Sequence, residues 1–540
     1  MPQQVTIFDT TLRDGTQGEG VSLTVEDKLK IAAKLDDLGI HYIEGGWPGS
    51  NGKDIEFFKR VASLSLKHAK VTAFGSTRRK GVKPEEDGNL KAILESGVRV
   101  ATIFGKSWDF QVTTALQTTL EENEAMIYDS VRYLKEQGLE VIYDAEHFFD
   151  GYKNNRDYAL GTIRKAEAAG ADWIVLCDTN GGSMPGEIAA IVADVVASVK
   201  TPIGIHAHND CELGVANSLA AVQAGARQVQ GTFNGLGERC GNANLVSVIP
   251  NLQLKLGGYR CVSDEQLATL TSAARYVSEI ANVGMPVNQP YVGSAAFAHK
   301  GGIHVSAVLR HSKTYEHIEP ELVGNRQRVL VSELAGQSNL VFKAQEMNLD
   351  FDLENESTKR LIQTIKDMEH RGYQFEGADA SLELLIRKAY DKQENVFTIE
   401  SFKLLVEKTG DNPVASEAIV KVKVHGETVY TAAEGNGPVN ALDNALRKAL
   451  ETYYPDIRDI HLTDYKVRVI NEKDATAAKV RVLIESSDFD ASWNTVGVSE
   501  NVIEASWEAI LDSIRYALIG RTVVLDNREE KHERIGIVNH

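Results

Sequence analysis

Cysteine, positive charge and long apolar runs are all scarce in this chain, and each scarcity excludes something. The four cysteines, Cys177, Cys211, Cys240 and Cys261, lie tens of residues apart with no C-x-x-C pair. That spacing excludes a zinc ribbon and a disulfide framework, and the four read as reduced structural thiols. No stretch reaches the ~18 uninterrupted apolar residues that a membrane helix needs. The N-terminal MPQQVTIFDTTLRDG has neither the basic nor the apolar region of a secretory signal, so a cytoplasmic location is expected. Lys and Arg total 58 against 76 Asp and Glu, for a net charge of −18. With no basic block, nucleic acid is not an expected partner. No phosphate-cradling loop is present either. What remains is an ordinary soluble composition, 43% hydrophobic and 25% charged. At roughly 150 residues per domain, 540 residues point to three or four domains.

The first 265 residues repeat one rhythm, a short β-branched run followed by an amphipathic helical stretch. Candidate strands are Val5–Asp9, Tyr42–Gly45, Val71–Gly75, Ala101–Phe104, Glu140–Tyr143, Trp173–Cys177, Ile203–His206 and Gln228–Gly231. Helical patterns with apolar residues at i, i+3, i+4 and i+7 lie between them, at Thr24–Leu38, Glu124–Gln137, Asp157–Ala169, Met184–Val199 and Leu213–Ala224. Eight such units without a Gly-rich dinucleotide turn predict an α/β chain whose parallel sheet closes into a (β/α)₈ TIM barrel over residues 1–265. An open doubly wound sheet is the alternative. Residues 266–410 read as a helical subdomain, beginning with one long helix at Asp264–Ile280 and continuing helical to about Glu407. Residues 411–540 read as a C-terminal α+β regulatory or dimerising domain. It carries a weak internal repeat at an offset of 64, Pro438–Leu450 aligning with Val502–Ile514.

In such a barrel the chemistry sits at the C-terminal ends of the strands. Seven of the eight end in polar residues: Asp9, Arg13, Asp14 and Gln17 after the first, Glu44 after the second, Ser76, Thr77 and Arg78 after the third. Asp144, Glu146 and His147 follow the fifth, Asp178 and Thr179 the sixth, HAHND the seventh and FNGLGERCGNANL the eighth. His206 and His208 stand two apart on a strand, so both imidazoles face one side and can converge on one ion. Asp14 would complete a facial two-histidine, one-carboxylate set. Asn242 is placed to reach the same ion or simply to shape the Gly-rich loop. Arg13 offers a fixed guanidinium for a developing negative charge, or an ion pair with Glu44 or Asp178. Glu146 is either a partly desolvated general acid/base beside Phe148 and Phe149 or a solvated rim acid. His299 and His304 lack acidic neighbours in sequence, so His304 reads as a catalytic group carried by the middle region.

The ordered motifs DTTLRDGTQ, IEGG, CDTNGG, HAHND, GLGERCGNANL and AHKGGIH, with the C-terminal domain, resemble the 2-isopropylmalate, homocitrate and citramalate synthases of the DRE-TIM metallolyase superfamily over nearly the whole chain. The resemblance implies a Claisen-type condensation of acetyl-CoA with a 2-keto acid, followed by thioester hydrolysis. It implies a divalent metal, Mg²⁺, Mn²⁺ or Zn²⁺, held by Asp14, His206 and His208 with Asn242 close by. Arg13 and Thr179 would bind the keto acid, and Arg13, Glu146, His304 and Tyr315 would be catalytic, the last three handling proton transfer and hydrolysis. Within the family, IEGGWPGSN, YDAEHFFDGY and CDTNGG are most similar to the long citramalate synthases, whose keto acid is pyruvate. That branch implies isoleucine as the allosteric inhibitor and a homodimer. The alternatives are a 2-isopropylmalate synthase using 2-ketoisovalerate, a related metal-dependent acyl-CoA lyase, and a catalytically silent sensor.

Overall fold

The computed structural model describes residues 2–300, 302–329, 356–390, 396–408, 410, 414–470, 478–488 and 492–536. Eight parallel strands close into a barrel: β1 (Thr6–Asp9), β2 (Tyr42–Gly46), β3 (Lys70–Ser76), β4 (Val100–Lys106), β5 (Glu140–Glu146), β6 (Trp173–Asp178), β7 (Ile203–Ala207) and β8 (Gln228–Gly231). All eight predicted strands are present in order. Closure is made by β1 against β8, with Thr6 opposite Gln228 and Asp9 opposite Gly231. The main apolar core fills the layer between strands and helices. Helix α1 (Val25–Asp37), for example, buries Leu29, Ile31, Ala32 and Leu35. Its start is fixed by a capping box in which the Asp27 amide donates to Thr24 Oγ1 at 3.2 Å and the Thr24 amide donates to Asp27 Oδ2 at 2.9 Å.

Inside the barrel a smaller cluster of Phe8, Tyr42, Val100, Ile142, Val175 and Cys177 packs together. Because side chains alternate along a strand, residues two positions further on share that inner face. Ile142 is thereby followed by Asp144, and Tyr42 by Glu44. The barrel interior turns from apolar to polar as the strands approach their C-terminal ends, and this places the site.

By contact the chain divides into two compact units, Met1–Phe297 with Glu316–Gln327, and Ala298–Tyr315 with Arg328–His540. The predicted long helix Asp264–Ile280 is two helices, Asp264–Leu267 and Leu270–Ile280, broken at Ala268 and Thr269. In the second unit each half of the repeat is a three-stranded antiparallel sheet followed by a helix. The first half is β9 (Thr398–Glu407), β10 (Ala415–Val424) and β11 (Glu427–Gly435), then α2 (Pro438–Leu450). The second is β12 (His461–Val469), β13 (Val480–Ser487) and β14 (Ser492–Ser499), then α3 (Val502–Gly536). Buried Ala441, Ala445, Leu446 and Leu450 of α2 correspond at the offset of 64 to buried Ala505, Ala509, Ile510 and Ile514 of α3. The expectation of helix up to about Glu407 is corrected here, because residues 398–407 form β9. A bulge between Ile399 and Ser401 lets Ile399 and Phe402 share the covered face, which gives the sequence a three-residue spacing that imitates a helix.

Candidate active site

The mouth of the barrel gathers Asp14, His206 and His208, whose ligating atoms all lie within 4.8 Å of one another. His206 Nε2 is 3.3 Å from His208 Nε2 and 3.8 Å from Asp14 Oδ2. All three residues are buried. Burial favours an uncharged Asp14, but the Arg13 guanidinium, reinforced by the two imidazoles, holds its carboxyl below the usual carboxylate range. Burial, then the neighbouring His206, pushes the His208 imidazole down to about 3, leaving it neutral near pH 7. A carboxylate and two imidazoles with free lone pairs are the donor set of a divalent cation. Asn242 adds to that fit: its Nδ2 donates to Asp14 Oδ1 at 3.0 Å, while its buried Oδ1 has no hydrogen-bond partner. The loop carrying Asn242 approaches so closely that a Cβ on Gly237, at φ +145°, would sit 2.3 Å from Asn242 Nδ2. Glycine is required there on both counts.

Arg13 is held on three sides. Its Nε donates to Glu44 Oε2 at 2.7 Å, one terminal nitrogen donates to Asp14 Oδ2 at 2.9 Å, and its guanidinium lies 3.7 Å from the Phe74 ring centroid. Of the two ion-pair partners expected from sequence, Glu44 is the one used. Asp178 instead accepts from Ser183 Oγ at 3.0 Å. Asp144 reaches into the same space, where burial first and then Glu44 raise its carboxyl well above the ordinary range. Asp9, also read as a rim acid, is fully buried and turned to Thr11, accepting from its amide at 3.0 Å and its hydroxyl at 2.8 Å. Arg78 faces Glu122 and Asp129 at 2.8 and 2.9 Å, a structural role at the barrel wall.

Glu146, at the end of β5, is ion-paired with Lys106 of β4 at 2.5 Å. Phe148 and Phe149 are buried in the main core. Thr179 Oγ1 accepts from the His147 amide at 2.9 Å, which leaves the hydroxyl proton of Thr179 to donate elsewhere. Arg239 clasps three rim loops, donating to Thr179 O at 2.6 Å and to both carboxylate oxygens of Asp210 at 2.8 and 3.0 Å. His304 and Tyr315 belong to the other compact unit, where their ring centroids are 4.2 Å apart. Both are exposed. The cysteines are free, with Cys177 and Cys261 buried and Cys211 and Cys240 exposed.

Sequence reasoning missed Gln230, Lys106, Phe74 and Arg239. Gln230 left one usable sign, a second polar residue two positions from Gln228 on an otherwise apolar barrel strand. The other three are defined by contacts across loops or strands distant in sequence.

Three family descriptions match consecutive parts of the chain: HMGL-like over residues 4–277, homocitrate synthase post-HMGL domain-like over 291–373, and LeuA allosteric (dimerisation) domain over 376–518. An (R)-citramalate synthase of Geobacter sulfurreducens is 56% identical over 515 residues, covering 95% of this chain and 97% of that protein. One from Aquifex aeolicus is 57% identical over 521 residues, covering 96% and 98%. A 2-isopropylmalate synthase of Methanocaldococcus jannaschii is 33% identical over 524 residues, covering 96% of each. With the barrel, the mouth residues and end-to-end similarity in agreement, the chain belongs to the (R)-citramalate synthase family of HMGL-like enzymes.

Proposed function

We propose that this citramalate synthase condenses acetyl-CoA with pyruvate and hydrolyses the resulting thioester to (R)-citramalate and CoA, with Asp14, His206 and His208 holding a divalent metal ion. The observation that carries the reading is the convergence of those three side chains beside the immobilised Arg13. When bound, the ion supplies Lewis acidity toward the keto acid. Asn242 stands ready with its unpartnered Oδ1 as a further donor. The donor set suits Mg²⁺, Mn²⁺ and Zn²⁺.

The protein's own groups share the remaining work. Arg13, fixed by Glu44, Asp14 and Phe74, presents its other terminal nitrogen to the keto oxygen as negative charge develops there. Thr179 donates its hydroxyl proton to the pyruvate carboxylate. Glu146, oriented by Lys106, and the neighbouring rings His304 and Tyr315 move protons: one is removed from the acetyl methyl group, and one is taken from the water that releases CoA. The domain matched at residues 376–518 takes isoleucine as inhibitor and joins two chains as a homodimer. The four free cysteines and the coenzyme A substrate suit a cytoplasmic setting. Among the described residues no helix is long and apolar enough to cross a membrane.

Thiol release from acetyl-CoA by metal-loaded enzyme tests this against pyruvate, 2-ketobutyrate, 2-ketoisovalerate, 2-oxoglutarate and glyoxylate, with and without isoleucine or leucine. Preference for pyruvate with inhibition by isoleucine is the expected result. Preference for 2-ketoisovalerate with inhibition by leucine would move the chain to the 2-isopropylmalate synthases, and absence of thiol release with every acceptor would favour the lyase direction.

A further inference from the structure

We propose that Gln230 is a positioning residue that fixes the ring tautomer of His206, and that Asp144, from the other side of the barrel, sets which way the Gln230 amide points. The inference rests on the metal-centre reading above. In the register of β7 and β8, His206 lies directly opposite Gln230, so their side chains stand side by side on the inner face. His206, Gln230 and Asp144 are 5%, 1% and 4% exposed, and in so dry a setting every polar atom needs a partner.

The amide has one donating and one accepting end. Asp144 Oδ1 takes the donating end, accepting from Gln230 Nε2 at 3.0 Å. With its proton on Oδ2, a protonated Asp144 still accepts at Oδ1, so the direction is the same for either form of the acid. Gln230 Oε1 is thereby turned to His206 Nδ1 at 2.9 Å. Two acceptors do not face each other, so Nδ1 carries the ring proton of a neutral imidazole. The lone pair then lies on Nε2, the nitrogen that faces Asp14 Oδ2 at 3.8 Å and His208 Nε2 at 3.3 Å. A reversed amide would place an N–H against Nδ1 and move the ring proton to Nε2, where it would block a cation. A carboxylate at position 230 would also accept from Nδ1–H, but it would add an acid to a mouth that already holds Asp14, Glu44 and Asp144, and it would bring no N–H for Asp144 Oδ1.

The test uses the metal-free full-length protein, with the His206 ring nitrogens read by two-bond ¹H–¹⁵N correlation and Mn²⁺ affinity read by chelator competition. Wild type is expected to show the Nδ1–H tautomer. Gln230→Leu and Asp144→Leu should each move His206 toward Nε2–H and weaken Mn²⁺ binding by about 10- to 100-fold. Asp144→Asn, whose amide oxygen can still accept from Gln230, should restore both readouts, which a merely structural loss would not do. Retention of the Nδ1–H signal and of wild-type affinity in Asp144→Leu overturns the proposal. Should Gln230→Leu fail to fold, Gln230→Glu, which keeps the acceptor, is expected to keep the Nδ1–H tautomer, and the comparison at position 144 decides. Absence of Mn²⁺ binding by wild type would instead remove the metal-centre reading, with the tautomer shift still reporting on the relay.

Discussion

Arg13 occupies a position that no other cation can fill in the same way. Its planar fork meets Glu44 and Asp14 through different nitrogens while its face lies on Phe74. Lysine has one nitrogen and no face to stack. Arg13→Lys is therefore expected to lower kcat/KM for pyruvate by about 10²- to 10³-fold, the usual cost of losing one aimed donor at a developing oxyanion. Circular dichroism should show an intact fold and chelator competition a metal affinity changed only several-fold. A variant with near wild-type kcat/KM would place the oxyanion contact elsewhere. On the proposed metal centre, His206→Ala should abolish tight metal binding, because it removes the imidazole that faces both Asp14 and His208. Competition against a fluorescent chelator checks it. Asp14, His206 and His208 are legible from sequence because two-residue alternation along a strand and rim placement in a barrel are local rules. Gln230 and Lys106 are not, since each becomes meaningful only when strand closure brings a distant carboxylate or imidazole within hydrogen-bond reach.

The two β-β-β-α halves of the second unit are built on similar close contacts. The third strand of the second half, β14, passes so near the start of α3 that a Cβ on Gly497 would lie 2.0 Å from the Ala505 carbonyl oxygen. Gly497→Ala must push the helix off its sheet, and a destabilisation of about 1–3 kcal/mol is expected from such overpacking. Differential scanning calorimetry should show it in a transition separate from that of the barrel unit. Helix α3 also carries Asp512, whose carboxyl is pushed up to about 6 by burial, against the opposing Ser381 hydroxyl and Arg515. Ser381 Oγ donates to Asp512 Oδ2 at 2.8 Å and itself accepts from the Val496 amide at 3.1 Å. The native pKa lies above the ordinary 3.8, so the native state binds the extra proton. The associated stability is complete below about pH 4 and is lost as pH rises through 6. Asp512→Asn keeps an acceptor for Ser381 without the charge. It should leave stability unchanged near pH 4 and raise it by about 1–3 kcal/mol above pH 7. Denaturant melts across that range are the check, and a constant offset at all pH values would remove the assignment. Element type was readable from sequence wherever periodicity was regular. It failed at β9, where the bulge after Ile399 resets the alternation.

At the scale of the whole molecule, three carboxyl groups at the barrel mouth, Asp14, Glu44 and Asp144, face one guanidinium, in a chain whose net charge is −18. A bound cation should offset that imbalance and stabilise the fold by mass action, by about 2.7 kcal/mol at a free concentration 100 times its dissociation constant. Removing metal with a chelator is expected to lower the melting temperature reversibly, and Asp14→Asn should remove most of the response. A melting temperature indifferent to chelator and metal alike would separate the mouth from metal binding. Eight β-α units, the paired C-terminal halves and the position of the polar rim were determined by the sequence alone. The reason is that hydrophobic periodicity is a local property and closure of eight such units leaves one rim for polar strand ends. The strand ends were not so determined: β5, expected to stop at Tyr143, runs on to Glu146, and β4, expected to stop at Phe104, runs on to Lys106. The tertiary structure alone decided that Arg13 chooses Glu44 over Asp178, that Lys106 pairs with Glu146, and that Gln230 bridges His206 and Asp144. Each of those pairings joins a strand to another strand or to the turn that follows one, across 24 residues or more of chain, and a hydrogen bond needs its partners within about 3 Å, a distance that chain separation does not encode.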